Sequence, residues 1–342
     1  MTTATTTTAK PLARSVPTDL SGKPIPQSQR WAYSPSSFTN GKLLSVAANA
    51  AVIGAFISFN ASVTGRQFYT YLDSTYGAYK MNVWGTFIIT SVFFWAWAGL
   101  FALADLTGSP RWLFRYKTQP FTRVSGAAYL RIAAVSLRNQ VLVAFPMLLL
   151  STHLGHALHP VAPEYLPSPT TTITTLLFDV ACTEIGFYYI HRSLHHGSLY
   201  QLFHKQHHEF TAPVGLAATH CSVTEHILSN LLPNALGTLL VRHHWSQAVF
   251  IFLLLEFNTI CVHSGYNIPG LPSNLQHDFH HFAFTENFGP MGVLDMLHST
   301  NRKFRSVMAD AIARAGGDEE RARVMVLERL ARVEMETSNN KE

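Results

Sequence analysis

The chain has 342 residues, of which 47% are hydrophobic and only 13% are charged. Soluble domains carry about 25% charged residues, so this composition excludes an ordinary soluble domain and indicates a membrane protein. The formal net charge of +5 is spread over loops, which argues against nucleic-acid binding and favours a role in orienting the chain in a bilayer. Cys182, Cys221 and Cys261 are far apart and form no CxxC pair, so we expect buried thiols without a disulfide framework.

Residues 1–40 are rich in threonine, serine and proline and lack the apolar stretch of a secretory signal. We predict a disordered cytosolic tail there. Since about twenty apolar residues cross a bilayer as a helix, the rest of the chain predicts an all-α polytopic membrane protein with about four long transmembrane helices plus a shorter hairpin. The predicted spans are Leu43–Val63, Val83–Ala104, Ile132–Leu154 and Thr171–Ile190, and the hairpin pairs Ile227–Val241 with Trp245–Val262.

Loop charges predict the orientation of these spans. Residues 106–132 contain no acid and five basic residues, namely Arg111, Arg115, Lys117, Arg123 and Arg131, and the N-terminal tail is basic as well. The opposite loop, residues 159–170, carries one charged side chain, Glu164. By the positive-inside rule the basic segments are cytosolic. Following the spans from there places both termini, and every histidine cluster described next, on the cytosolic side.

Six of the eighteen residues from His191 to His208 are histidine. They form a first cluster, His191-x3-His195-His196, and a second cluster, His204-x2-His207-His208. A third cluster, His277-x2-His280-His281, repeats the spacing of the second. Imidazole is the commonest neutral metal ligand in proteins, and positions i, i+3 and i+4 share one face of a helix. Eight convergent imidazoles exceed what one tetrahedral ion uses, so the pattern predicts a dinuclear site in a cytosolic, histidine-rich helical domain. The eight are His191, His195, His204, His207, His208, His277, His280 and His281.

A histidine-rich solvated face is the alternative, which a single cluster would favour but three related clusters do not. The remaining histidines have other interpretations. His153, His156 and His159 are expected on one helix, as the polar end of a span, the alternative being a separate metal site, and His243-His244 are expected at the polar tip of the hairpin. His226 and His298 are expected to be structural, and His196 either replaces His195 as a ligand or faces the membrane interface.

Several motifs around the histidines resemble the fatty acid hydroxylase/sterol desaturase superfamily of membrane di-iron oxidases, nearest its C-4 methylsterol oxidase-like branch. The similarity covers roughly residues 80–305. The matching segments are Arg115-Tyr116-Lys117-Thr118-Gln119, the box from His191 to His196 with the following Gly197-Ser198-Leu199-Tyr200, His204-Lys205-Gln206-His207-His208-Glu209-Phe210-Thr211-Ala212-Pro213, His263-Ser264-Gly265-Tyr266, His277-Asp278-Phe279-His280-His281, Asn287-Phe288-Gly289 and the run from Leu294 to Thr300.

This resemblance implies an oxygen-dependent enzyme that hydroxylates or successively oxidises a C–H position of a sterol-like or other lipid. It implies two iron ions held by the eight histidines, with His263 as a ninth ligand. No flavin or nicotinamide fingerprint is visible, so electrons are expected from an external donor. The resemblance implies that NAD(P)H supplies them through cytochrome b5 and its reductase, in the endoplasmic reticulum membrane. The expected organisation is N-terminal transmembrane helices over residues 41–160, a catalytic domain over 161–305 and a charged cytosolic tail over 306–342.

One segment departs from the resembled pattern. Where related sequences carry Ala-His-Pro-x-Glu, this chain has Cys221-Ser222-Val223-Thr224-Glu225, with Ser222 in place of a histidine. Whether His220 compensates is open at this point. Carboxylates commonly orient ligand imidazoles, and acids in apolar spans tend to be functional. Asp278, Glu184 and Glu225 are therefore candidates to contact the ligands, the alternative for Glu184 being a polar partner on a neighbouring span.

Two other functions are kept open. The Ser222 departure allows a desaturase or oxidative tailoring enzyme that acts on a terpenoid or polyketide intermediate. A divalent-metal transporter is the further alternative, although transporters tend to place their ligands at mid-membrane. Aromatic residues beside the ligands line a substrate channel in one interpretation and pack between helices in the other. They are Phe187, Tyr188, Tyr189, Phe210, Phe282 and Phe284.

Overall fold

The computed structural model describes residues 41–118 and 124–318, together with Ala322 and Val326. Within these residues the fold is helical and contains no strand, apart from one isolated antiparallel bridge between Lys117 and Tyr266. The predicted tail over residues 1–40 and the basic side chain of Arg123 lie outside the described residues. The all-α prediction is confirmed for the part of the chain that is described.

Thirteen α-helices are described, several of them joined end to end. They are α1 Gly41–Ala61, α2 Val63–Lys80, α3 Thr86–Thr107, α4 Gly126–Asn139, α5 Phe145–His153, α6 Pro169–Leu194, α7 Gly197–Leu199, α8 Val223–Glu225, α9 Leu232–Leu240, α10 Trp245–His263, α11 Leu275–Ala283, α12 Val293–Leu297 and α13 Arg302–Arg314.

Five helical stretches of the described chain are long and apolar enough to cross a membrane. They are Leu43–Ala61, Val63–Thr107, Gly126–His153, Pro169–Leu194 and Trp245–His263. Their outer surfaces are apolar: Leu130 is 76% exposed, Leu142 68% and Leu177 66%. Burying such side chains in lipid removes the cost of exposing them to water. The predicted polytopic fold is confirmed, and of the predicted hairpin α10 is itself a full-length span whereas α9 is short.

Widened π-helical turns join several of these helices. Gln140–Ala144 connects α4 to α5, and His226–Leu231 connects α8 to α9. Pro146 and Pro233 follow these turns within the first residues of the next helix. Proline lacks an N–H and its ring clashes with the carbonyl four residues earlier, so a locally widened turn lets each helix continue past its proline.

The tightest helix contact is between α6 and α9. A Cβ atom on Gly237 would overlap the Asp179 side chain and lie 2.7 Å from its Cα, so only glycine allows this approach. Gly186 similarly lies against Pro233. Close backbone contact through small residues is how helices associate in membranes. It fixes α9 against the helix that carries the first histidine cluster.

The two ends of the bundle are closed by different loop contacts. At one end the loop after α3 meets the turn after α10, where Thr118 N–H donates to Gly265 O (2.9 Å). At the opposite end Trp245 N–H donates to Pro160 O (2.9 Å). All three histidine clusters lie at the end that carries the basic loop, as the charge pattern predicts. That this end faces the cytosol stays a prediction.

A short helical layer covers the histidine end. In it α13 packs against α11, with the Phe279 and Phe304 rings 5.3 Å apart between centroids. The Glu286 carboxylate accepts from Lys303 N–H (2.8 Å) and Phe304 N–H (2.9 Å) and so satisfies the free N–H groups of the first turn of α13. The expected charged tail therefore begins inside a packed helix, because residues 306–314 belong to α13.

Candidate metal centre

Four segments bring the histidines together: the end of α6, the turns from Tyr200 to Glu209, the end of α10, and α11. His191 lies in the last turn of α6, and His195 is the residue at which this helix ends. His263 is the last residue of α10, and the third cluster lies on α11. Because the ends of α6 and α10 lie side by side and α11 follows α10 closely, the clusters meet at one end of the bundle.

The second cluster does not lie on one helix, and the prediction that its members share a helical face is wrong. His204 closes the π-helical turn Tyr200–His204, whereas His207 and His208 begin the 3₁₀ turn His207–Glu209. The backbone passes from a wide turn to a tight one between them, so the angular step of an α-helix does not apply. His207 faces a different set of imidazoles from His204 and His208, and on α11 His280 is divided in the same way from His277 and His281.

The structure divides the histidines into two adjacent groups. Within each group one ring nitrogen per residue lies within 4.8 Å of all the others. The first group contains His191, His195, His204, His208 and His280. The second contains His207, His263, His277 and His281. The two groups share the second and third clusters between them, which is why the spacing of one cluster alone does not define a site.

His204 is central to the first group. Its Nε2 atom lies 3.1 Å from Nε2 of His191, 2.9 Å from that of His195 and 3.0 Å from that of His208. In the second group His263 Nε2 lies 3.3 Å from His207 Nε2 and 2.8 Å from His277 Nε2. Every one of these contacts joins two nitrogens of the same type.

Backbone carbonyls fix the orientation of three rings. The Nδ1–H of His191 donates to Phe288 O (2.7 Å), that of His263 to Thr259 O (2.8 Å) and that of His280 to Glu286 O (2.7 Å). A neutral imidazole that donates through Nδ1 carries its lone pair on Nε2. The hydrogen-bond network thus assigns the tautomer and points the Nε2 lone pairs into the two groups, as ligand imidazoles require.

These lone pairs fit a pair of metal cations. Each neutral ring has one donor and one acceptor nitrogen, so three imidazole nitrogens around His204 Nε2 cannot all be satisfied by hydrogen bonds. His280 Nε2 is buried and has no hydrogen-bond partner. Imidazole nitrogens lie roughly 2.1 Å from a bound transition metal, which puts neighbouring ligands about 3 Å apart. The observed separations match this spacing, and the donor set suits either iron or zinc.

Burial keeps the ligand candidates neutral. It lowers the pKa of His204, His207 and His208 well below the ordinary value, and neighbouring histidines lower each pKa further. On α11, burial and the adjacent rings have the same effect on His277 and His281. A neutral imidazole is the form that binds metal, so the folded chain presents lone pairs without having to release protons at neutral pH.

The three acidic candidates have different partners. Glu225 Oε1 lies 2.8 Å from His204 Nδ1 and 3.9 Å from His207 Nδ1, beside both groups. Burial raises the pKa of this carboxyl group, so positive charge nearby is what would stabilise its ionised form. Asp278 accepts from Asn274 Nδ2 (2.7 Å) and from the Thr118 hydroxyl, which ties α11 to the loop after α3.

Glu184 accepts from Met291 N–H and Leu294 N–H, both at 2.9 Å. These bonds hold the segment before α12 against α6. Among the three acids, Glu225 is the one whose carboxylate reaches the imidazoles of the groups.

The residue that departs from the resembled pattern has a local structural role. Ser222 Oγ accepts from Glu225 N–H (3.1 Å) and so caps α8, the turn that carries Glu225. His220 lies outside both groups, with Nε2 3.1 Å from Glu209 Oε2. His196 is exposed and also lies outside them, whereas His195 is inside the first. Neither His220 nor His196 is brought to the centre.

One expectation for the other histidines is wrong. His153 ends α5, so His156 and His159 do not share a helix with it. His243 and His244 lie at the turn between α9 and α10, as expected, but they are buried, 3% exposed each, with His243 Nε2 bonded to Asp179 Oδ2 (3.0 Å) and His244 Nε2 to Val161 O (2.8 Å). The apolar pattern places this turn correctly but does not reveal that the neighbouring loop covers it.

A cavity of about 150 Å³ opens beside the two groups, on the membrane side. Ligand candidates from both groups line one wall. Both apolar and polar side chains from several spans line the rest, although the cavity surface is mainly apolar. The apolar residues include Phe87, Phe94, Phe187, Phe252 and Leu255, and the polar ones include Gln140, Asn234 and Glu256. Of the six aromatic residues for which channel lining and helix packing are the two interpretations, Phe187 lines the cavity. Phe284 packs instead on His208, with ring centroids 4.8 Å apart.

Several groups that shape the centre are not evident from the sequence. The carbonyls of Thr259, Glu286 and Phe288 orient ligand rings. Because every residue has a backbone carbonyl, the sequence does not show which ones act in this way. Asp295 lies in a recognised motif without an assigned role. Its carboxylate accepts from Phe288 N–H (2.9 Å) and Gly289 N–H (2.7 Å), fixing the carbonyl that holds His191.

Comparison with known proteins agrees with this geometry. A sequence model of the fatty acid hydroxylase family matches residues 176–300, which contain every member of the two groups. The chain is 36% identical over 316 residues to fatty acid hydroxylase ahd1 of Mycosarcoma maydis, covering 90% of this chain and 80% of that protein. No solved structure gave a significant match.

Two further relatives come from other branches of eukaryotes. Fatty acid hydroxylase domain-containing protein 2 of Homo sapiens is 36% identical over 231 residues, or 66% of this chain and 68% of that protein. A putative methylsterol monooxygenase of Dictyostelium discoideum is 30% identical over 263 residues, or 71% of this chain and 93% of that protein.

The helical bundle with a buried histidine centre at one end is thus that of a membrane-bound oxidase of the iron-dependent type. The chain belongs to the fatty acid hydroxylase family, as the resemblance in its histidine boxes predicts, and is a membrane lipid or sterol oxidase.

Proposed function

We propose that the chain is an oxygen-dependent di-iron oxidase that hydroxylates, or successively oxidises, an unactivated carbon of a sterol-like or other lipid. The observation that carries this proposal is the pair of adjacent imidazole groups, which contain five and four histidines, beside a cavity whose surface is mainly apolar. The proposed ligands are the nine members of the two groups, within a catalytic unit spanning residues 161–305. Bound iron with dioxygen supplies the oxidising power for C–H chemistry that redox-inert zinc lacks.

The protein's own contribution is orientation and exclusion of water. The carbonyls of Thr259, Glu286 and Phe288 hold three ligand rings in one tautomer. Glu225 supplies a carboxylate next to both groups, which offsets positive charge at the centre. The walls formed by Phe94, Phe187 and Phe252 favour an apolar substrate and keep bulk water away from the carbon to be oxidised.

We further propose that electrons come from NAD(P)H through cytochrome b5 and its reductase, on the cytosolic face of the endoplasmic reticulum. The sequence holds no flavin or nicotinamide fingerprint, so an external donor is required. The names of the relatives, fatty acid hydroxylase and methylsterol monooxygenase, support a lipid substrate that bears a methyl or methylene carbon.

The test is product analysis with labelled oxygen. Purified chain in nanodiscs is supplied with cytochrome b5, its reductase, NADH and either a 4-methylsterol or a long-chain fatty acid, under ¹⁸O₂. A hydroxylated product that contains ¹⁸O supports the proposal. A product with a new double bond and no ¹⁸O would support the desaturase or tailoring alternative instead.

A matched variant excludes the remaining alternative. His207→Ala is expected to abolish ¹⁸O incorporation, while His220→Ala, which alters a histidine outside both groups, retains it. Metal flux into vesicles that is abolished by His207→Ala, with no product formed from either lipid by the unaltered chain, would show a transporter and overturn the proposal.

A further inference from the structure

The segment after the third histidine cluster exposes a continuous apolar surface. Between Gly289 and Leu297, the side chains of Met291, Val293, Met296 and Leu297 are all exposed, Leu297 to 73% and Met296 to 61%. The surfaces of soluble segments seldom present several large apolar side chains in so short a stretch. This surface therefore needs an apolar partner.

The depth of the segment follows from its contacts with α6. The α10 span of 19 residues is about 28 Å long at 1.5 Å per residue, which matches a hydrocarbon core of about 30 Å. Its last residue, His263, thus lies near the membrane boundary. His191 belongs to the same centre, so that position on α6 lies at the same level.

Glu184 precedes His191 by seven residues on α6, which places it about 10 Å nearer the middle of the bilayer. Its two carboxylate oxygens accept from Met291 N–H and Leu294 N–H. The start of α12 is therefore held at the depth of Glu184 and not at the level of the metal centre. Because Tyr189 Oη also lies 3.0 Å from His298 Nε2, the segment runs alongside the lipid-facing surface of α6.

Non-helical backbone within the acyl-chain layer is stable only when its polar groups are satisfied by protein. Here Glu184 satisfies two N–H groups, and Asp295 satisfies those of Phe288 and Gly289. Asp295 also accepts from the Thr300 hydroxyl (2.6 Å) and is fully buried. The two carboxylates thus accept the backbone hydrogen bonds that water would accept in an exposed loop.

We propose that residues 289–297 form a re-entrant lip that lies in the acyl-chain layer of the membrane, with Met296 and Leu297 in contact with lipid tails. Its partner is the bilayer itself, since the exposed surface continues that of the α6 span. Phe288, Gly289 and Pro290 at the base of the lip also line the cavity. If the proposed function holds, a lipid substrate reaches the centre directly from the bilayer past this rim.

The depth can be measured without any activity assay, so its outcome is independent of the proposed function. A single cysteine is introduced as Leu297→Cys or Met296→Cys and labelled with an environment-sensitive fluorophore in liposomes. Leu177→Cys, on the exposed face of α6, marks the acyl-chain layer, and Lys303→Cys, on exposed α13, marks water. The unaltered chain, whose three cysteines are buried, gives the labelling background.

We expect brominated acyl chains to quench the fluorophore at residues 296 and 297 to within twofold of the quenching at residue 177, and aqueous iodide to quench residue 303 alone. Iodide quenching at residues 296 and 297 equal to that at 303, with no effect of brominated lipid, would overturn the lip. Because residues 296 and 297 are labelled in separate variants, the depth can still be measured if one of the two variants folds poorly.

Discussion

Histidines are buried at both ends of this bundle, and the difference between the two ends identifies the metal centre. At the end opposite the centre, each ring nitrogen of His243 and His244 has its own oxygen partner: Asp179 and Val241 for His243, Val161 and Ser246 for His244. At the centre, His204 Nε2 instead faces the Nε2 atoms of three other histidines. Convergence of like nitrogens, more than burial or histidine number, distinguishes a candidate ligand set from a structural network.

The pKa of His243 moves in the opposite direction from that of His204, whereas burial lowers the pKa of neighbouring His244 as it does at the centre. Burial opposes protonation of His243, but the hydrogen bond to Asp179 and the charge of that carboxylate outweigh it and raise the pKa of His243. At the centre, burial and neighbouring imidazoles both lower the pKa of His204. The Asp179 carboxylate thus favours the imidazolium form of His243, whereas the surroundings of His204 favour a neutral ring with an available lone pair.

The largest expected effect is that of His204→Ala. Since His204 contacts three other ring nitrogens, its removal opens the first group, and we expect turnover to fall by more than about 100-fold, because loss of a partner behind a ligand already costs 10–100-fold. The measurement is product formed per folded chain in nanodiscs. Turnover within threefold of the unaltered chain would remove His204 from the ligand set.

His243→Ala is the matched change at the other end. Removing one partner of a buried pair leaves Asp179 unpaired and is expected to lower the free energy of unfolding by about 3–5 kcal/mol, with turnover per folded chain preserved. Denaturant unfolding in detergent micelles, followed by tryptophan fluorescence, measures the stability. Loss of turnover without loss of stability would show that this end has a chemical role.

Glu225→Gln is expected to have a smaller effect than loss of a ligand. The amide keeps the size of the side chain but removes the carboxylate that lies beside His204 and His207, so we expect metal affinity to fall by roughly 10–100-fold. Competition with a chelator measures the affinity. The matched control is Glu209→Gln, on the carboxylate that pairs with His220 outside the groups, for which no change in affinity is expected.

The smallest predicted effect is a pH dependence at the end opposite the centre. Because folding raises the pKa of His243 above 6.5, its pairing with Asp179 stabilises the fold fully below the pKa of the unfolded chain. That contribution is lost as pH rises through the folded pKa. The stability difference between the unaltered chain and Asp179→Asn should therefore shrink from pH 6 to pH 9. A difference that grows over this range would contradict the assigned direction.

The spans and the end at which the histidines meet are predictable from the sequence, because apolar length and loop charge are physical requirements of a bilayer. The nine histidines of the centre are also found from their boxes. The spacing does not predict the division into two groups. His277 and His281 belong to one group and His280 to the other, because residues i+3 and i+4 lie on either side of residue i on the helix surface.

The partners of the acids are equally hidden in the sequence. Glu184 lies on the histidine-bearing helix at an interval that predicts a contact with the ligands, but its carboxylate holds the backbone of Met291 and Leu294. This contact joins residues more than a hundred positions apart, and backbone N–H donors carry no residue-type signature. Long-range hydrogen bonds to the main chain therefore become visible only in the folded structure.

The two nitrogen groups are inferred to bind metal, and the histidine network at the opposite end is not. Mass spectrometry can measure the iron per chain in detergent-purified protein from iron-supplemented cells, for the unaltered chain and for His204→Ala, His277→Ala and His243→Ala. We expect about two irons in the unaltered chain and in His243→Ala, and clearly fewer in the other two variants. Equal iron in all four proteins, or a loss confined to His243→Ala, would show that the two groups are not the metal site.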